Sequence, residues 1–265
     1  MMHYSWSMEF DSPEAPSSPG ESVTRAPTLA ERAVALLEVI LCSDVPTQIA
    51  LGATFAAFGF YPMSADGSLR ITYITLLSLL DTLFLVGLMI FFLRTHGESP
   101  ADLFLGRAPI GPEIRRGLPL TFMALLIAVV VMLALQQLAP WLHTVEHNPL
   151  QDLIRTGPDA VLFGVVVVVA GGIREELQRA FLLRRFERWL GGARVGVVVT
   201  STAFGAGHFL QGADAAIATG VLGAFWAVVY LRRRSAVAPI VSHSGFNLLQ
   251  LAQFLVVGRS VQGIV

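Results

Sequence analysis

The chain has no lysine, and all 18 of its basic residues are arginine, which reads as codon or lineage bias and carries no function by itself. A single cysteine, Cys42, excludes an intramolecular disulfide and any CxxC metal or redox motif. Charge is scarce: 14% of the 265 residues are charged, against about 25% in soluble domains. The net charge of −1 offers no bulk attraction to nucleic acid, so no nucleic-acid partner is expected. No internal repeat is visible, and with it goes the main sequence sign of a transporter built from paired halves. No basic stretch followed by an apolar core marks a cleaved signal near the start.

What is present is apolar length. At 54% hydrophobic residues, the chain reads as all-α: a polytopic transmembrane helical bundle of about seven spans, with six to eight as the bounds. Residues 1–28, rich in Ser, Pro and acids, read as a disordered tail. Residues 29–140 form an N-terminal transmembrane region, and residues 141–265 hold a bundle made by the last four spans. The expected spans are a broken one at 36–60, interrupted by Asp44 and Pro46, then 71–93, 117–139, one from 159 into the 170s, 195–211, 214–231 and 236–257. Short connections make the last four antiparallel neighbours, and glycines 205, 207, 212, 220 and 223 permit close helix approach. Asp81, near the middle of an apolar run, is expected to be hydrogen-bonded inside the bundle. His143, Glu146 and His147 fall in a segment that reads as a solvated loop with no helical order for a metal site. Arginine is concentrated in the loops at 94–116, 184–194 and 232–234. This places those loops in the cytoplasm of an integral protein of the plasma (inner) membrane.

One stretch stands out: Gly171-Gly172-Ile173-Arg174-Glu175-Glu176-Leu177-Gln178-Arg179, directly after an almost wholly apolar run. An ionisable group within a bilayer costs at least about 2.5–3.5 kcal/mol on insertion scales, so it is a functional candidate by default. On a helix, Arg179 is reachable from Glu175 at four residues and from Glu176 at three. Downstream only two histidines remain, His208 and His243, both in predicted membrane helices. Phe204 lies one turn before the first and Asn247 one turn after the second, on the same faces. A carboxylate with imidazoles is a set that activates water, and an asparagine amide can donate to a developing oxyanion.

The Glu pair followed by arginine, then Phe204-x-x-x-His208, then His243-x-x-x-Asn247, resembles the CPBP intramembrane proteases. That group holds the type II CAAX prenyl endopeptidases and the abortive-infection and bacteriocin-processing proteins. Asp102-Leu-Phe-Leu-Gly-Arg107 resembles a short loop found upstream in the family, so the resemblance spans about 100–257. The first motif departs from the family's usual Glu-Glu-x-x-x-Arg by being one residue shorter. Aligned on the arginine, Arg174 stands in the first Glu position and Glu175 in the second; aligned on the Glu pair, Glu175 is the first.

The resemblance implies an intramembrane endopeptidase that hydrolyses a peptide bond of a membrane-embedded or membrane-associated substrate. Its catalytic set would be Glu175, Glu176, Arg179, His208, His243 and Asn247. Glu175 is favoured as the base over Glu176 because it can pair with Arg179. His208, His243 and Glu175 would be the ligands if Zn2+ or another divalent metal is bound, and otherwise the histidines would serve the oxyanion. Two other readings stay open: an inert membrane scaffold of the same family, and a transporter or proton relay using Asp81, Glu175 and the histidines.

Overall fold

The computed structural model describes residues 25–146 and 148–258. Most of the expected tail, and His147, lie outside the described residues. Among those described, the chain is helical, with no strand beyond an isolated bridge between Met63 and Leu69.

Helix α1 (Leu29–Leu41) opens on a capping box. The Thr28 hydroxyl accepts from the Glu31 amide at 3.2 Å, and the Glu31 carboxylate accepts from the Thr28 amide at 2.7 Å. The chain then breaks at Asp44, whose φ of 72° is unusual for a residue with a side chain, and restarts as α2 (Val45–Ala57) with Pro46 in its first turn. Helix α3 (Ile71–Thr95) follows, then the short α4 (Pro100–Phe104) and the long α5 (Ile110–Leu138), which carries Pro119 inside it. Helix α6 (Gly157–Val168) begins on a second capping box, Thr156 with Asp159, and runs through a π-helical segment, Val169–Arg174, into α7 (Glu175–Trp189). Glycines 191 and 192, at φ 99° and 94°, turn the chain into α8 (Ala193–Gly207). Helices α9 (Ala213–Arg233) and α10 (Val237–Gln253) complete the bundle.

Among the described residues, four helices are long and apolar enough to cross a membrane: α3, α5, α9, and α10 with its extension to Val257. The α1–α2 pair, bent by 44°, raises that to five if it forms one broken span. The two further spans of the sequence reading are not among them: one lies in the continuous helical run of α6, the π segment and the charged α7, and the other is α8, whose 15 residues at about 1.5 Å each are shorter than about 30 Å of hydrocarbon.

Close approaches explain several glycines. A Cβ on Gly205 of α8 would lie 2.6 Å from the Ala216 carbonyl oxygen of α9, so these helices touch backbone to backbone. On Gly117 of α5 a Cβ would meet Val241 of α10 at 2.5 Å. Gly207, expected to serve the same purpose, has nothing within 4 Å of that position. The segment 140–158 is also not a freely solvated loop. It is strapped onto the start of α9: His143 Nδ1 pairs with Asp214 at 2.8 Å, and the Ala213 amide donates to the Thr144 hydroxyl at 3.0 Å.

The apolar core gathers Leu85, Met89 and Leu93 of α3, Phe181 and Leu183 of α7, and Tyr230 of α9. At the arginine-rich end a charged knot ties α1, α7 and the turn after α3 together. Arg185, fully buried, sits 2.5 Å from Glu38 and 2.6 Å from Glu98, and Glu98 also holds Arg184 at 2.9 Å and Arg188 at 3.2 Å. Burial alone would push the Glu98 carboxyl up, but the hydrogen bonds of Arg184 and Arg185 and the charge of Arg188 outweigh it and hold it below its ordinary value. A carboxyl depressed in the folded state adds stability that is present above its unfolded value, about pH 4.3, and is lost as pH falls through the folded value. The thermal midpoint in detergent should therefore hold on the neutral side and fall in acid. Glu98→Gln should lower the neutral midpoint and flatten that part of the acid limb; an unchanged acid limb would contradict the assignment.

Candidate active site

The site is built where α6 passes through the π segment into α7. A π turn widens the helix and re-aims the residues that follow it, and such turns are frequent at functional sites. Here it ends on Arg174 and sets Glu175 and Glu176 on the first turn of α7. The paired glycines let α10 come close: a Cβ on Gly171 would be 2.8 Å from Asn247 Nδ2, and one on Gly172 would be 3.2 Å from the Ser244 Cα.

His243 of α10 lies between the two glutamates. Its Nδ1 is 2.8 Å from Glu176 Oε1, and its Nε2 is 3.8 Å from Glu175 Oε2. A carboxylate only accepts, so Nδ1 carries the proton, and in the neutral ring Nε2 presents a lone pair toward Glu175. The ring plane is fixed by Trp226 of α9, stacked at 3.8 Å and 15°, whose indole N–H donates to the Ser242 hydroxyl at 3.0 Å. Arg179 is bonded to Glu176, three residues before it, and its guanidinium lies 4.7 Å from the Phe204 ring centre. The expected Arg179–Glu175 pairing is thus corrected: the three-residue partner takes the arginine, and Glu175 turns the other way. Glu176 is closed in at 1% side-chain exposure, while Glu175 keeps 16%, so Glu175 has the freer carboxylate.

Glu175 turns toward Arg174. That guanidinium reaches Glu175 Oε1 at 3.3 Å and Asp81 at 2.9 Å, and it is bonded to Asp44. Asp44 in turn accepts from Gln178 at 2.6 Å, and Asp81 from the Thr47 hydroxyl. Asp81 is therefore a hydrogen-bonded bundle interior group, as read from the sequence.

His208 caps the end of α8. Its Nδ1 is 2.8 Å from the Phe204 carbonyl, so that nitrogen donates and the neutral ring keeps a lone pair on Nε2. The Phe204 ring lies 4.8 Å from the His208 ring and 5.9 Å from that of His243, so it packs against both. Asn247 donates from Nδ2 to the Val167 carbonyl at 3.2 Å, which commits one of its two amide hydrogens. Among the described residues no group of three or more His, Cys, Asp or Glu side chains is arranged to hold a metal. His208, His243 and Glu175, the ligands expected if a metal is bound, do not form such a group here.

Trp226, Asp44 and Gln178 were not among the residues singled out as candidates. Asp44 was noted only as a helix break, and no local pattern ties it to Arg174, which is 130 residues away. Trp226 carries no spacing signal; only its position mid-helix on a span beside the motifs points to it.

Residues 157–249 match the family described as type II CAAX prenyl endopeptidase Rce1-like. The resemblance carried by the Glu pair, Phe204/His208 and His243/Asn247 is shown over that segment. No curated protein and no solved structure matches the chain.

Proposed function

We propose that this chain, Rce1-like over residues 157–249, is an intramembrane endopeptidase in which Glu175 is the general base and His243 its partner. The reading rests on one observation: an imidazole tied through Nδ1 to a buried carboxylate at 2.8 Å, with Nε2 facing a second, freer carboxylate at 3.8 Å. That separation is too long for a direct hydrogen bond and suits two groups that share one water.

In the reaction, Glu175 takes a proton from the attacking water as its oxygen bonds to the scissile carbonyl carbon. His243 Nε2 accepts a hydrogen bond from the water's other hydrogen, which stays on the attacking oxygen and becomes the hydroxyl of the new carboxyl group, while Glu176 holds the ring in the tautomer with Nδ1 protonated. The free amide hydrogen of Asn247 is in reserve for the oxyanion. When the C–N bond breaks, the proton held by Glu175 passes to the leaving nitrogen. Neutral His208 offers a lone pair at Nε2 and becomes a donor there only once protonated. The arginine-rich loops face the cytoplasm in this reading.

The test is cleavage of a membrane-embedded peptide library, with prenylated and unprenylated CAAX members, by purified protein in detergent. We expect a defined product by mass spectrometry, and His243→Ala should slow it by at least about 10²-fold. Absence of cleavage by the wild type returns the assignment to the inert scaffold, the reading that Arg174 favours when it is aligned with the family's first glutamate. A His243→Ala variant that cleaves at the wild-type rate overturns the site.

A further inference from the structure

Arg174 is the residue by which this chain departs from the family's first motif, and it is also the most heavily engaged charge in the N-terminal half of the interior. It is 6% exposed and is gripped from three elements: Asp44 at the α1–α2 corner, Asp81 at 2.9 Å from α3, and the Ala170 carbonyl at 3.4 Å in its own π turn. One guanidinium nitrogen, Nη2, is directed at Glu175 Oε1 at 3.3 Å. Glu175 is thereby divided, with one oxygen on Arg174 and the other facing His243. The other charges around it are Arg179 and Glu176 on α7, His243 on α10, and Asp44.

We infer that Arg174, anchored by Asp44 and Asp81, is a positioning residue that holds Glu175 as a carboxylate aimed at His243, so that the site extends into the N-terminal helices outside the segment matched to the family. This deepens the protease reading and rests on it for its kinetic consequence. Three physical points carry it. A guanidinium presents several donors in one plane, so Arg174 can bind its two aspartates and still reach Glu175. A neighbouring positive charge favours the ionised form of a carboxylate, which is the form a base needs. A buried arginine without partners would be costly. The aspartates offset that cost, and Asp44 does so from a left-handed backbone conformation held by Gln178, whose amide also donates to the Cys42 carbonyl at 2.7 Å.

Two readouts test it in the full-length protein. In the cleavage assay, Arg174→Gln should lower kcat by about 10- to 100-fold with KM within about twofold, and Arg174→Lys, which keeps the charge but lacks the planar fork, should recover only part of the loss. Independently of cleavage, dicyclohexylcarbodiimide reacts with protonated carboxyls in apolar surroundings. Labelling at Glu175, read by peptide mass spectrometry, should rise several-fold in Arg174→Gln and rise less in Arg174→Lys, which keeps the positive charge. Because Arg174→Gln strands two aspartates, the triple variant R174Q/D44N/D81N, which removes both aspartate charges, should show the same rise. Unchanged Glu175 labelling in both the single and triple variants overturns the inference. The two readings fail separately: a wild type that does not cleave, with labelling that still rises on loss of Arg174, sinks the protease and keeps the positioning role. Full cleavage by Arg174→Gln with wild-type labelling does the reverse.

Discussion

Glu175→Gln should lower peptide cleavage by about 10²–10⁴-fold, the range typical of a lost general base, while leaving the thermal midpoint close to wild type. The second half of that expectation follows from the partners. Removing the Glu175 charge leaves Arg174 still bonded to Asp44 and Asp81, so no buried charge is stranded. Glu176→Gln should behave differently. It takes the anion away from Arg179, which is 4% exposed, and from Nδ1 of His243. Breaking a buried pair by removing one partner costs about 3–5 kcal/mol, so this variant should lose both activity and stability. Measured side by side, the two glutamines separate a base from an orienting acid. Should Glu176→Gln abolish cleavage without moving the midpoint, and Glu175→Gln remain active, the roles assigned to the two carboxylates are exchanged.

That contrast could not be drawn from spacing. The residues of the site were legible because their types are so out of place in apolar helices: a Glu pair after a valine run, and two histidines each one turn from a motif partner. Helical periodicity placed Arg179 within reach of both glutamates but could not choose. The choice came from the π turn and from His243, which approaches on α10 and draws Glu176 to one side. Neither has a local signature. Spacing alone also did not show that the Phe204 ring packs against both His208 and His243.

The helical class was written in the sequence by its long apolar runs, and the break between α1 and α2 by Asp44 and Pro46. The apolar runs at 159–170 and 195–207 count as spans by hydropathy, but one continues through a π turn into the charged α7 and the other forms a helix of 15 residues. The role of the first hundred residues was also illegible, since the contacts of Asp44 with Arg174 and of Glu38 with Arg185 span more than a hundred positions of chain.

The Glu38–Arg185 contact leads to the largest stability effect expected. Arg185→Ala removes the one cation shared by Glu38 and Glu98, and it also removes a guanidinium lying 4.4 Å from the Phe181 ring centre. Glu98 retains Arg184 and Arg188, but Glu38, 2% exposed, is left with His96 at 2.6 Å. The loss should approach about 3–5 kcal/mol, the cost of stranding a buried charge, and appear as a clear fall in thermal midpoint. Arg185→Lys should restore only part of it, because an ammonium lacks the planar fork that meets two carboxylates at once. The decisive comparison is the double variant Glu38→Leu/Arg185→Met, in which both members of the buried pair become apolar. It should be more stable than Arg185→Ala and than Glu38→Leu alone, since neither charge is then left without its partner. If the effects simply add, the two side chains are not coupled, and α1 is held against α7 by apolar packing. In the coupled case the knot does more than stabilise: it fixes the end of α1, and with it the corner from which Asp44 reaches Arg174.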